Sequence, residues 1–139
     1  MNNASSEFNR KLELDVLITG MSEVTCGYVQ QFDTDNLSEV IIPNGIEKLG
    51  KYAFGWCDSL TSIEIPDSVT EIEAEAFCDC RELTSLTIPA SVTKIGWDAF
   101  GWCSNLKNVT FKGKTLDEVR SMLGYPWGIR PENFSVQMS

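Results

Sequence analysis

The chain has no histidine at all. That absence removes the commonest general base, the Ser-His and Cys-His nucleophile pairs, and any zinc site built on imidazole. Basic residues are scarce too: 11 Lys and Arg stand against 20 Asp and Glu, for a net charge of −9. Phosphate recognition needs clustered Lys and Arg, so direct nucleic-acid binding is disfavoured. Residues 1–36 carry −4, residues 37–105 carry −7 and residues 106–139 carry +2. No apolar run approaches the roughly 18–20 residues that a bilayer span requires, so no membrane contact is expected. Glu7, Arg10, Lys11, Glu13 and Asp15 interrupt the N-terminal segment. It reads as a poor secretory signal, and the expected compartment is cytoplasmic. With no nucleotide-binding or metal-binding motif either, no enzyme activity, cofactor or metal is expected.

What the chain does have is a repeat. "AFGWC" occurs at 53–57 and again at 99–103, and "AFCDC" stands midway at 76–80. The period is 23 residues, giving full copies at 37–59, 60–82 and 83–105 and a fourth that begins at 106. Leu37, Leu60, Leu83 and Leu106 open the units, and Ile42, Ile65, Ile88 and Phe111 follow at a fixed offset. Pro43, Pro66 and Pro89 come next, and each unit closes on Ala, Phe and Cys, as in Ala53, Phe54 and Cys57. A fixed period of this length means one supersecondary unit stacked on copies of itself. In "LTSIEIP" the alternation of Ile63, Glu64 and Ile65 predicts a strand with one buried face, ended by a proline that cannot donate to a ladder. Val69 and Ile72 point inward from a second extended leg, and "AFGWC" predicts a tight helical turn with Ala and Phe inside.

The pattern Leu-x-x-Ile-x-Ile-Pro-x-x-Val-x-x-Ile-x-x-x-Ala-Phe-x-x-Cys resembles the BspA-like leucine-rich repeat, with nine positions recurring over residues 37–111. The resemblance implies a parallel-sheet solenoid of stacked coils with short helical turns, used for binding proteins and without catalysis. Family members are frequently secreted and carry many repeats, whereas three full copies and no recognisable signal are visible here.

The whole chain, 1–139, is expected to be a single domain and a monomer. Both ends of a solenoid need covering. Residues 1–36 are expected to supply an N-terminal cap. Within it "KLELDVLI" (11–18) and "EVTCGYV" (23–29) alternate apolar and polar residues and predict a β-hairpin. Residues 112–139 are expected to form the other cap. There Thr115 and Glu118 make a capping-box pattern for a helix over about 116–122, "GYPWGI" (124–129) forms a turn, and "FSV" (134–136) a last strand. This tail resembles the ends of short leucine-rich-repeat proteins of gut Firmicutes and their phages.

Three groups of residues are candidates for function. Cys57, Cys80 and Cys103 share one repeat position and predict an inward column of free thiols; Cys78, at the place of Gly55 and Gly101, is expected to face out. Glu71, Glu73 and Glu75 put three carboxylates on one side, as an acid–base pair would need or as a charged outer face flanked by Lys48 and Lys94. Trp56 and Trp102 share a position at which Asp79 stands between them. With Phe54 and Cys57 inward, position 56 points outward, either into a binding hot spot or flat over its own coil. The expected function is non-enzymatic protein–protein recognition in a bacterium or its phage, with Trp56, Asp79, Trp102 and the three glutamates as candidate contacts. The alternative is an acidic decoy that blocks a basic nucleic-acid-binding protein.

Overall fold

The computed structural model describes residues 11–13 and 20–138. In chain order its strands are β1 (Lys11–Glu13), β2 (Glu23–Val24), β3 (Glu39–Ile41), β4 (Lys48–Leu49), β5 (Ser62–Glu64), β6 (Glu71–Ile72), β7 (Ser85–Ile88), β8 (Lys94–Ile95), β9 (Asn108–Lys112) and β10 (Phe134–Gln137). Two short α-helices, α1 (Cys26–Val29) and α2 (Leu116–Ser121), and a 3-10 turn (Pro131–Asn133) complete the regular structure of the described residues. Every strand pairing among the described residues is parallel. One face of the solenoid carries β1-β3-β5 and then β7-β9-β10, and the other carries β2-β4-β6-β8. The protein is a solenoid of stacked, parallel-stranded coils, as the repeat predicts.

The 23-residue period becomes strand register. Glu39 faces Ser62, Ser85 faces Asn108, and Lys48, Glu71 and Lys94 form one row. Because side chains alternate between faces, each in-register step puts like residues into like environments. Val40, Ile63, Leu86 and Val109 form one buried column, and Leu49, Ile72 and Ile95 another. At the turns Phe54, Phe77 and Phe100 stack face to face, 5.4 and 5.6 Å apart between ring centroids. The stack is interrupted once: no ladder joins β5 to β7, although β6 and β8 of the same two coils remain paired.

At the N-terminal side the expected hairpin is not formed. β1 and β2 lie in different sheets, and each runs parallel to a strand of the next coil. Residues 14–18 of the expected first hairpin strand fall outside the described residues. The second segment is extended only at Glu23–Val24 and turns helical at Cys26, where the Thr25 hydroxyl accepts from Tyr28 N at 3.1 Å. Apolar alternation marks a chain as extended without choosing its partner. Here the first repeat offers two open strand edges, and each N-terminal strand extends one of them.

On the other side, α2 opens with the Thr115–Glu118 capping box, the hydroxyl accepting from Glu118 N and the carboxylate from Thr115 N. These bonds to the charged form hold the Glu118 carboxyl below its ordinary range. Trp127 is buried against Phe111 and donates its indole N–H to the Leu123 carbonyl at 3.1 Å. β10 then pairs with β9.

The coil register makes a length-sensitive prediction. Removing residues 60–82, one whole coil, should leave a folded though less stable protein. Removing 60–81 should not, because every later side chain falls out of phase with its stack. Circular dichroism and thermal melts distinguish the two; equal folding of both would contradict a 23-residue coil.

Candidate recognition surface on the turns

Each turn closes through residues in the left-handed region, and they recur with the repeat. Tyr52, Glu75 and Asp98 have φ of 56, 57 and 55°; Trp56, Asp79 and Trp102 have 59, 62 and 64°. The kink aims backbone N–H groups at the following coil: Trp56 N donates to Cys78 O and Asp79 N to Gly101 O, both at 2.8 Å. It also turns the side chain away from the core. Asp79 suits such a site, because a short polar side chain tolerates left-handed backbone. A bulky residue there is uncommon and carries a cost of roughly 1–2 kcal/mol. Tryptophan nevertheless occupies two of the three positions.

The two indoles are not equivalent. Trp56 is 52% exposed and stacks on Tyr52 at 5.3 Å and 15°. Trp102 is 76% exposed, and the place of Tyr52 is taken in its coil by Asp98. Packing on its own coil therefore accounts for part of Trp56 and for little of Trp102. Between them, Asp79 accepts from Arg81 Nε at 3.0 Å.

The three glutamates are tied to the preceding coil. Lys48 Nζ lies 3.8 Å from both Glu71 and Glu73, and Glu73 also accepts from Lys51 N at 3.3 Å. Glu75 accepts from the Tyr52 hydroxyl at 3.0 Å, a bond to the neutral phenol that raises the Tyr52 pKa. Lys94 sits opposite Glu71 in register, yet no ion pair joins them among the described residues.

All five cysteines are free thiols. Cys57 and Cys80 are fully buried and Cys103 half-buried, and the column is not purely apolar. Cys80 Sγ donates to Phe54 O at 3.1 Å and Cys103 Sγ to Phe77 O at 3.0 Å. Cys78 does not face out: it is buried. The reason is Gly55, where an added Cβ would lie 3.2 Å from Cys78 Sγ, so the missing side chain leaves the room the thiol fills. Burial pushes Cys57 up to about 12 and Cys78 up to about 11. The close approach of the two neighbouring sulfurs in the column raises Cys80 and lowers Cys103.

Among the described residues four further large apolar side chains are exposed, Trp97, Leu123, Val136 and Met138, and the repeat singles out none of them. Trp97 is 69% exposed at the position of Lys51 and Ala74, and Leu123 is 93% exposed just beyond α2. Trp97 could have been found, since its repeat position otherwise holds a lysine and an alanine; Leu123 lies outside the regular units. A cavity of about 610 Å³ opens where β5 and β7 part, lined by Ser62, Glu64, Ser85, Thr87 and Asp67 among others. A second, of about 390 Å³, lies beside β8.

Comparison with known proteins agrees with this geometry. The family profile described as "BspA type Leucine rich repeat region (6 copies)" matches residues 28–123. A leucine rich cell surface protein of Faecalibacterium prausnitzii is similar at 36% identity and a TM-score of 0.57, over 64% of this chain and 22% of that one. The pneumococcal vaccine antigen PcpA aligns over 93% of this chain and 28% of its own, at 19% identity and a TM-score of 0.64. The leucine rich repeat protein TpLRR of T. pallidum aligns over 92% and 69%, at 22% identity and 0.57. The last two likenesses concern the fold alone. The chain thus spans about a fifth of the Faecalibacterium protein and over a quarter of PcpA. No curated protein matches significantly.

The thiol environments predict an order of reaction. Within the column, Cys103 should alkylate first in the native protein near pH 8, since the thiolate is the reacting form and its pKa is lowered. Cys57, Cys78 and Cys80 should stay protected until unfolding. Peptide mapping after timed iodoacetamide treatment reads the order; early labelling of Cys80 or Cys78 would contradict it.

Proposed function

The chain belongs to the BspA-type leucine-rich-repeat family, and from that premise we propose that it is a recognition module meeting a protein partner through its tryptophan-bearing turns. Proteins of this family are generally surface or protein-interaction modules and typically not enzymes. The observation that carries the proposal is the placement of Trp56 and Trp102 at left-handed, solvent-facing positions where Asp79 shows what the backbone accepts cheaply. Two exposed indoles add a solubility cost to a backbone cost, and a hot spot of binding offsets both.

Asp79 belongs to the proposed patch as its polar centre. Glu71, Glu73 and Glu75 contribute at its margin, since their carboxylates already bond to Lys48, Lys51 and Tyr52. That engagement of the acidic side chains favours an aromatic-centred contact over a charge-mimicking decoy. The module acts in a bacterium or its phage, as a monomer, inside the cell. Five titratable thiols in protein denatured without reductant would support the intracellular location; fewer would point to a disulfide and an oxidising compartment.

Trp56→Ala combined with Trp102→Ala should leave the melting temperature within a few degrees and weaken binding by about 2–4 kcal/mol. Binding to the partner captured from the source organism, measured by calorimetry at two ionic strengths, should depend little on salt. A double variant that binds normally, or one that loses much of its stability, would end this reading. Steep salt dependence would favour the decoy.

A further inference from the structure

The second sheet ends on β8, and the outward row along it alternates in charge: Glu23, Lys48, Glu71, Lys94. Each strand of that row presents a charged residue followed by an aliphatic one, as in Lys48–Leu49 against Glu71–Ile72. β8 repeats the Lys–aliphatic pair with Lys94 and Ile95, and no strand follows it. Among the described residues Lys94 makes no ion pair, and it is exposed. In the next coil the place of a strand is taken by α2 and the loop after it.

That loop does not fill the space. A cavity of about 390 Å³ remains between β8 and Met122–Leu123, with Ile95, Gly96 and Glu71 also lining it. Leu123, 93% exposed, stands at its rim. The loop is held in place: Met122 N donates to Val119 O at 3.2 Å, and the buried Trp127 donates its indole N–H to Leu123 O at 3.1 Å. An exposed leucine on a fixed loop, an apolar hollow and a lysine ending an alternating row make a two-part surface.

We propose that this hollow is a docking site for a short extended segment of a protein partner that carries an acidic residue beside an aliphatic one. The carboxylate continues the alternation opposite Lys94, and the aliphatic side chain enters the hollow against Ile95, Met122 and Leu123. The fold itself shows the complementarity, because β4 receives Glu71–Ile72 in the same way. A basic segment is selected against, since it would place like charge opposite Lys94. The site is separate from the tryptophan turns and stands or falls without them.

A blocked peptide VTEIT, whose first four residues copy 69–72, and its counterpart VTKIT provide the probes. Titrated into isotope-labelled protein, VTEIT should shift the amide signals of residues 93–96 and 122–123 saturably. Against VTKIT it should bind about fivefold to tenfold more tightly. Lys94→Glu should invert that preference, and Leu123→Ser should weaken both peptides while leaving the preference intact; thermal melts confirm that each variant is folded. Equal binding of the two peptides, shifts confined to other surfaces, or no saturable shift would overturn the proposal. So would signals of residues 93–96 that move with protein concentration alone, which would assign the edge to a second copy of the chain.

Discussion

The structure depends on backbone hydrogen bonds that run from each coil to the next. At the turns, Phe54 N reaches Ala76 O at 2.7 Å, Phe77 N reaches Ala99 O at 2.8 Å, and Phe100 N reaches Trp127 O at 3.1 Å. On the second sheet face, Thr70 N and Thr93 N make the corresponding bonds to Glu47 O and Thr70 O. A single coil satisfies few of its own polar groups and buries little, so the coils hold only as a stack. The turn can present its N–H groups to a neighbour only by passing through left-handed backbone twice per coil. The same kink that satisfies the main chain therefore throws two side chains per coil outward.

That constraint separates what packing decides from what it leaves open. Ala53, Phe54 and Cys57 are held by the core, and their equivalents repeat almost unchanged. Positions 52 and 56 must be left-handed and largely outward, yet nothing in the core selects their side chains. Tyr52, Glu75 and Asp98 differ from one another, as do Trp56 and Asp79, and at these places bulk is carried against the preference of the backbone. The glutamates answer to a different demand, tying one coil to its neighbour through Lys48, Lys51 and Tyr52.

The period made the middle of the molecule readable from sequence, because a constant 23-residue offset is a register. The outer coils keep the register but not the period. Lys11 faces Glu39 after 28 residues, Glu23 faces Lys48 after 25, and Val109 faces Phe134 after 25. Insertions absorbed in the connections hide these coils from any fixed spacing, which is why the N-terminal strands read as a hairpin. Cys78 was misplaced for a related reason: its burial follows from the glycine at 55 in the neighbouring coil, a contact no single repeat contains. The helix at Leu116–Ser121 was readable because its signal, the Thr115–Glu118 box, is local. The outward direction of Trp56 and Trp102 was readable from the inward residues beside them, whereas the left-handed backbone beneath was not.

Amide hydrogen exchange followed by NMR tests the dependence on coil-to-coil bonding most directly. If those bonds hold the turns, Trp56 and Asp79 should exchange only through global unfolding, with the same free energy as Phe54 and Phe77 despite their outward side chains. Exchange of Trp56 and Asp79 orders of magnitude faster than their neighbours would show that the turns open locally. The left-handed positions would then owe nothing to the stack.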